Sequence, residues 1–189
     1  MTIDALCLEH TTTMMANHTL HDLADLLINM PSGGFVLEIG VYHGMTTAFI
    51  GRMLDFLRRA ELVLSIDPFE RAEVEENNQK GLFNSYRETL NTHHQQDRCH
   101  LLIGKSQEVH SFIAPAVAFM MIDGSHVYDN VLADLTNYLP KLLPGGLALL
   151  HDYWAAYPGS MQAIDEYLSQ HAEYEPTYKS GSVALRRVG

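Results

Sequence analysis

Phe35-Val36-Leu37-Glu38-Ile39 is an apolar run of strand length that passes through Gly40-Val41-Tyr42-His43-Gly44 into Met45-Thr46-Thr47, where a helical pattern begins. A buried strand, a glycine-containing turn and a helix in immediate succession form the opening unit of a parallel α/β sheet. Four further apolar runs, at residues 62–66, 101–103, 117–122 and 147–150, repeat the strand signal and end in Gly or a polar residue.

Helical patterns separate these runs. Residues 46–59 place Phe49, Ile50, Met53, Leu54 and Leu57 on one face, with Arg58 and Arg59 in the expected last turn, where cations complement the helix dipole. Residues 127–143 repeat apolar positions at helical spacing up to a stop at Pro144-Gly145-Gly146. The polar stretch 70–96 reads as a mobile lead-in followed by one amphipathic helix carrying Leu82, Phe83, Tyr86 and Leu90. Tyr157-Pro158-Gly159 opens a helix over 160–171, and the tail 174–188 reads as an antiparallel hairpin around Lys179-Ser180-Gly181-Ser182. An early helix over 20–30, with Leu20, Leu23, Leu26 and Leu27 on one stripe, is expected to pack on the sheet as a lid. The pattern predicts an α/β, doubly wound, Rossmann-like sheet of seven strands, mostly parallel with a C-terminal antiparallel hairpin, and helices on both faces. A single domain over 1–189 is expected, with a helical lid at 1–32 and a cofactor-binding core at 33–189.

Composition narrows the function. Twelve Lys+Arg against 23 Asp+Glu give a net charge of −11 in 189 residues, which argues against a nucleic-acid partner, because neutralising phosphates needs a basic face. Residues 1–15 lack the basic start and apolar run of a secretory signal, and no stretch has the apolar length of a membrane span. Cys7 and Cys99 stand far apart without metal-type spacing, so no disulfide is expected and the reducing cytoplasm is the natural compartment. Of the eleven histidines, His93, His94 and His171 lie in polar stretches and read as solvent-facing. An acidic enzyme acting on a small molecule fits this composition.

In an open α/β sheet the ligand site lies beyond the C-terminal strand ends. Gly40 and Gly44 let the first turn approach a ligand closely, although a plain strand-to-helix turn reads the same residues as well. The spacing is neither Gly-x-Gly-x-x-Gly nor a phosphate loop, and Glu38 suits a cationic ligand group better than a pyrophosphate. Asp67, before Pro68, stands where ribose hydroxyls bind in such folds, or caps the following segment. Gly104-Lys105-Ser106 offers small residues to an adenine edge, or an N-cap at Ser106. The fourth run ends in Asp123-Gly124-Ser125-His126 and the fifth in His151-Asp152-Tyr153.

Together these motifs resemble a class I S-adenosylmethionine-dependent methyltransferase over roughly residues 33–187. The resemblance implies that Glu38, Gly40, Tyr42, Gly44 and Thr46 line the methionine part of the cofactor. It implies that Asp67 and Pro68 meet the ribose, and that Gly104, Lys105 and Ser106 meet the adenine, with Asp123 and Gly124 closing the site. The Asp-Gly-Ser-His run with the later His-Asp-Tyr is similar to small-molecule O-methyltransferases that include macrolide-type sugar O-methyltransferases. In metal-dependent members an Asp and a later acidic pair bind Mg²⁺, and the His three positions after the first Asp is the general base. Carried over, Asp123 and Asp152 become metal ligands and His126 the base.

His151 departs from that pattern, standing where those enzymes have a second carboxylate. Two carboxylates still suit Mg²⁺, whereas an imidazole as third ligand favours Mn²⁺, Fe²⁺ or Zn²⁺. Alternatively His151 faces the core or the methionine moiety, and without a metal His126 or His151 acts alone as the base. For His126 the other reading is a helix N-terminal residue whose ring bonds to the backbone. Tyr153, Trp154 and Tyr157 form an aromatic cluster that stacks on an acceptor ring or packs a lid. The expected partner is a small-molecule acceptor, with segments 10–30, 70–96 and 153–159 as lids and room for a second subunit, in a homodimer, to complete the pocket. A non-catalytic S-adenosylmethionine-binding or regulatory protein is the alternative, and a nicotinamide oxidoreductase is disfavoured by the glycine spacing.

Overall fold

The computed structural model describes residues 2–3, 5–6, 15–70 and 76–189. Cys7, residues 10–14 of the expected lid and residues 71–75 of the expected lead-in lie outside the described residues. In chain order the elements are α1 (Asn17–Asn29), β1 (Phe35–Ile39), α2 (Met45–Phe56), β2 (Val63–Asp67), α3 (Glu76–Thr92) and β3 (Cys99–Ile103). They continue with α4 (Ser106–Val109), β4 (Val117–Ile122), α5 (Tyr128–Tyr138), β5 (Leu142–Tyr153), α6 (Pro158–Gln170), β6 (Tyr174–Lys179) and β7 (Gly181–Arg187).

The seven strands form one sheet in the order β3-β2-β1-β4-β5-β7-β6, with β1 to β5 parallel and β7 antiparallel to both neighbours. The order reverses between β1 and β4, so their C-terminal ends define the crevice where such sheets bind ligands. Because side chains alternate along a strand, β1 feeds both faces of the sheet. Val36 joins a core with Leu20, Leu23 and Leu27 of α1, Phe49, Ile50 and Met53 of α2, and Leu82 and Tyr86 of α3. Leu37 and Ile39 join the opposite core with Val131, Leu135 and Tyr138 of α5 and Ile164 and Tyr167 of α6. Each fully buried Leu, Ile or Phe contributes about 1.5–3 kcal/mol by leaving water, which is what fixes the helices to their faces. No helix among the described residues is long and apolar enough to cross a membrane.

Two expectations need correction. The helix expected over 127–143 ends at Tyr138, and β5 starts at Leu142, so Pro144-Gly145-Gly146 lies inside a strand instead of stopping a helix. The strand tolerates these residues by slipping register against β4: Val117 pairs with Leu142, but Phe119 pairs with Leu147. Arg58 and Arg59 lie beyond the end of α2, not in its last turn. Arg59 instead binds Glu61 at 2.7 Å and the carbonyls of Met30 and Pro31, tying the exit of α1 to the start of β2.

Candidate active site

The first turn is held by backbone. Gly40 N–H donates to Ile66 O at 2.9 Å and Asp123 N–H to Ile39 O at 2.8 Å, so the turn is stitched to both neighbouring strand ends. Gly40 sits at φ +89°, and a Cβ there would lie 2.2 Å from Asp123 O. No side chain fits, which is the physical reason for glycine. Gly44 has φ +80° and would drive a Cβ to 2.7 Å from the Tyr86 ring. Between them Tyr42, at φ +50°, completes a left-handed turn that lifts the chain over the strand end before α2 begins.

Asp67 locks this turn to the next. Its Oδ2 accepts Val41 N–H at 2.9 Å and its Oδ1 accepts Phe69 N–H at 2.6 Å, so the capping reading of Asp67 is realised. Glu38 is fully buried with one oxygen accepting the hydroxyls of Thr47 at 2.6 Å and Ser65 at 2.8 Å. Burial pushes its carboxyl up to about 8, against those two hydrogen bonds. Its other oxygen and the Tyr86 hydroxyl have no hydrogen-bond partner among the described residues. Glu38 therefore supports the turn from beneath and forms no part of the cavity wall.

A cavity of about 530 Å³ opens above the turn. It is walled by Gly40, Tyr42 and Thr46 on one side and by Asp123, Gly124, His126, His151 and Asp152 at its floor. The structure thus brings together most of the first-turn residues and all of the expected reaction-centre residues. Asp67, Pro68, Gly104, Lys105 and Ser106 are not among its walls. Lys105 N-caps α4 and pairs with Glu70 at 3.3 Å. Ser106 is buried as the first residue of α4, not its N-cap, and donates to Asp134 Oδ1 at 2.6 Å. Burial outweighs that hydrogen bond and pushes Asp134 up to about 6.

Consecutive residues on a strand normally point to opposite faces. His151 and Asp152 nonetheless face one cavity, because β5 bulges against β7 between His151 and Tyr153 and Asp152 takes φ +59°. A bulge beside a site re-aims a side chain in this way. His151 Nδ1 comes within 3.1 Å of Asp123 Oδ1 and also within 3.1 Å of Asp152 Oδ1. Asp152 Oδ2 lies 2.7 Å from His126 Nε2, and the His126 ring stacks on Tyr157 at 3.9 Å. Burial alone would lower the His151 imidazole, but the two carboxylates overwhelm it and push it up to about 10. Burial alone would raise Asp152, yet the two imidazoles hold it below the usual carboxylate range.

The donor set can hold a divalent metal. One atom each of Asp123, His151 and Asp152 lies within 4.8 Å of the others. His151 Nδ1 is buried and, although close to two carboxylate oxygens, is aligned for a hydrogen bond with neither. Two carboxylates and one imidazole this close together are a donor set of the kind that binds divalent transition ions.

The sequence reading expects segment 10–30 as a lid but names no individual residue of the far wall. Met15, His18 and Thr19 at the start of α1, Ser180 and Gly181 of the hairpin turn, and His43 of the first turn all line the cavity. His18 Nε2 meets Ser180 O at 3.1 Å and Lys179 Nζ meets Asp22 Oδ1 at 3.1 Å, so α1 and the hairpin turn touch over the cavity. No local pattern marks these residues, because the segments that meet are 162 positions apart.

A Rossmann-like sheet with this hairpin, a glycine turn and a cavity at its switch point defines a class I methyltransferase. The chain belongs to the family described as methyltransferase domain, whose model matches residues 37–153. It is an S-adenosylmethionine-dependent methyltransferase. Among solved structures it is similar to the O-methyltransferase NovP, at 20% identity and TM-score 0.76, covering 94% of this chain and 82% of that one. The O-methyltransferase TomG from Streptomyces achromogenes, solved with S-adenosylmethionine, is 13% identical with TM-score 0.69, covering 100% of this chain and 90% of that one. The TDP-rhamnose 3'-O-methyltransferase CalS11 of calicheamicin biosynthesis is 16% identical with TM-score 0.64, covering 97% of this chain and 92% of that one. No curated protein matches the chain.

Proposed function

We propose that the chain moves a methyl group from S-adenosylmethionine to a hydroxyl of a small molecule, a sugar or a natural product, with His126 as general base. The observation that carries this reading is the 2.7 Å pair of His126 Nε2 with Asp152 Oδ2 beside the donor set, in a cavity whose other side is the Gly40 turn. Methyl transfer is an in-line displacement at a sulfonium carbon, so aligning donor and acceptor supplies much of the rate. Gly40, Tyr42, Gly44 and Thr46 bind the methionine part in this reading. Asp67 takes the ribose with the lone pairs its two backbone hydrogen bonds leave unused, and Gly104 to Ser106 lie on the adenine side.

Asp123, His151 and Asp152 would hold the metal, which when bound would supply Lewis acidity that lowers the pKa of an acceptor hydroxyl. With one imidazole in the set, Mn²⁺ or a similar transition ion is preferred over Mg²⁺. His126 takes the proton: Nε2–H is held by Asp152, which leaves Nδ1 as the accepting nitrogen. Asp152 thereby orients the base with one oxygen and completes the metal set with the other.

Calorimetric titration with S-adenosylhomocysteine, with and without Mn²⁺ or Mg²⁺ after chelation, tests the donor and the metal together. Binding heat that changes with metal is expected, and indifference to exhaustive chelation in both binding and turnover removes the metal from the reading. In the same assay His126→Ala retains cofactor affinity while turnover falls about 10²-fold or more. Near-normal turnover in that variant would falsify the base assignment.

A further inference from the structure

The helix α4 is a single turn of four residues, too short to hold a helical shape by its own hydrogen bonds. Its N-cap, Lys105, makes no side-chain capping bond. Its orientation therefore comes from outside, and α5 supplies it. Asp134 Oδ1 accepts the Ser106 hydroxyl at 2.6 Å and the Gln107 side-chain amide at 3.3 Å. One helical turn further on, the Tyr138 hydroxyl donates to Ser106 O at 2.7 Å. The support is itself fixed: Val131, Leu135 and Tyr138 are buried in the core, and the Tyr128 hydroxyl donates to Glu166 of α6 at 2.7 Å. From the other side Gly104 N–H donates to Asp67 O at 3.2 Å, and the Asp67 carboxylate holds Val41 of the first turn. The turns after β1, β2 and β3 thus form one connected row, with Asp134 as the support at its far end.

Asp134 is 1% exposed, and a buried carboxylate weakens a fold unless its hydrogen bonds offset the lost hydration. Here burial prevails: between 3.8 and about 6 the folded chain keeps a proton that the unfolded chain has released, so ionised Asp134 lowers stability at neutral pH. An apolar residue of similar volume would pack α5 at least as well. What the carboxylate adds is an acceptor for two side chains of α4. Resting on the reading that turn 104–106 meets adenine, we propose that Asp134 is a positioning residue for the adenine end of the cofactor. It touches no ligand and acts by fixing that turn through Ser106 and Gln107. Hydrogen bonds to a purine edge weaken steeply when their angles are lost, so a turn that drifts loses its discrimination between bases. The methionine end, shaped by the main chain around Gly40, is left unchanged.

The test titrates the full chain with S-adenosylhomocysteine and with S-inosylhomocysteine, which carries hypoxanthine in place of adenine. The parent is expected to prefer the adenine ligand by at least about tenfold. In Asp134→Ala most of that preference is expected to vanish, through an about tenfold rise in Kd for S-adenosylhomocysteine with Kd for S-inosylhomocysteine nearly unchanged. Asp134→Asn keeps an acceptor oxygen for Ser106 and is expected to stay within about threefold of the parent for both ligands. Ser106→Ala should reproduce the loss without adding to it in the double variant. Equal weakening of both ligands in Asp134→Ala and in Ser106→Ala means a merely structural role and overturns the proposal, as does an unchanged preference. If Asp134→Ala does not fold, Ser106→Ala decides by the same criterion. A parent that gives no heat with S-adenosylhomocysteine sinks the methyl-donor reading and the proposal with it, whereas heat without preference for adenine overturns the proposal alone.

Discussion

The Gly40 side and the His151 side of the cavity are built on opposite principles. Around Gly40 the shape is made by main chain: Gly40 N–H to Ile66 O, Asp123 N–H to Ile39 O and Val41 N–H to Asp67. Around His151 it is made by side chains, four ionisable groups joined within 3.1 Å of one another in sequence. A main-chain site is destroyed only by a residue that cannot adopt the backbone. A side-chain site is sensitive to each of its members and can be retuned by one substitution.

The largest effect that would break this contrast or bear it out is expected from Asp152→Asn. It removes a charge of the proposed metal set and the partner of His126 together, so turnover should fall about 10³-fold while affinity for S-adenosylhomocysteine stays within a few-fold. Equal loss of affinity would mean the two sides are not separable. Gly40→Ala tests the other side, because the new Cβ meets Asp123 O at 2.2 Å and the backbone sits at φ +89°. Denaturant unfolding should show a loss of about 1–3 kcal/mol, accompanied by weaker cofactor binding.

A smaller effect sharpens the comparison. His151→Asp replaces the imidazole with the carboxylate that the resembled metal enzymes carry, so the ratio of Mg²⁺-supported to Mn²⁺-supported turnover should rise about tenfold. An unchanged ratio would place His151 outside the ligand set. The smallest effect concerns the support under the donor turn. Glu38 keeps its proton in the folded state up to about pH 8, whereas the unfolded chain releases it near 4.5. Between these values the native state binds more protons, so this group makes stability fall as pH rises. Glu38→Gln should remove that part of the slope, gaining a few degrees in Tm relative to the parent at pH 7.5, at about 2–4 °C per kcal/mol for a chain of this size. Parallel Tm curves for the two proteins across pH 5 to 8 would show that Glu38 is ionised in the fold.

The same contrast explains what could be read from the sequence. The donor turn was legible because its cause is local: an apolar run, two glycines and a helical period within fifteen residues. Asp123, His126, His151 and Asp152 were legible as strand-end residues, since strand ends are where such sheets place ligands. That His151 and Asp152 share a cavity follows only from the resemblance and not from strand alternation, because the bulge that turns both inward depends on how β7 pairs with β5. Pro144-Gly145-Gly146 misled for a related reason: breakers stop a helix in isolation, but pairing with β4 and β7 absorbs them into a strand. Glu38 next to the glycine turn suggests a ligand contact, but the alternation along β1 turns its side chain to the helix-covered face, where it meets Thr47 and Ser65.

The contact between His18 and Ser180 has a consequence for biosynthesis. A chain emerging from a ribosome can form the Gly40 turn as soon as β1, β2 and β4 have paired, well before the hairpin exists. The wall opposite the reaction centre waits for Ser180 to arrive beside His18, which was made 162 residues earlier. A nascent chain therefore has the partners of the Gly40 turn in hand while the His18 side of the cavity still lacks Ser180.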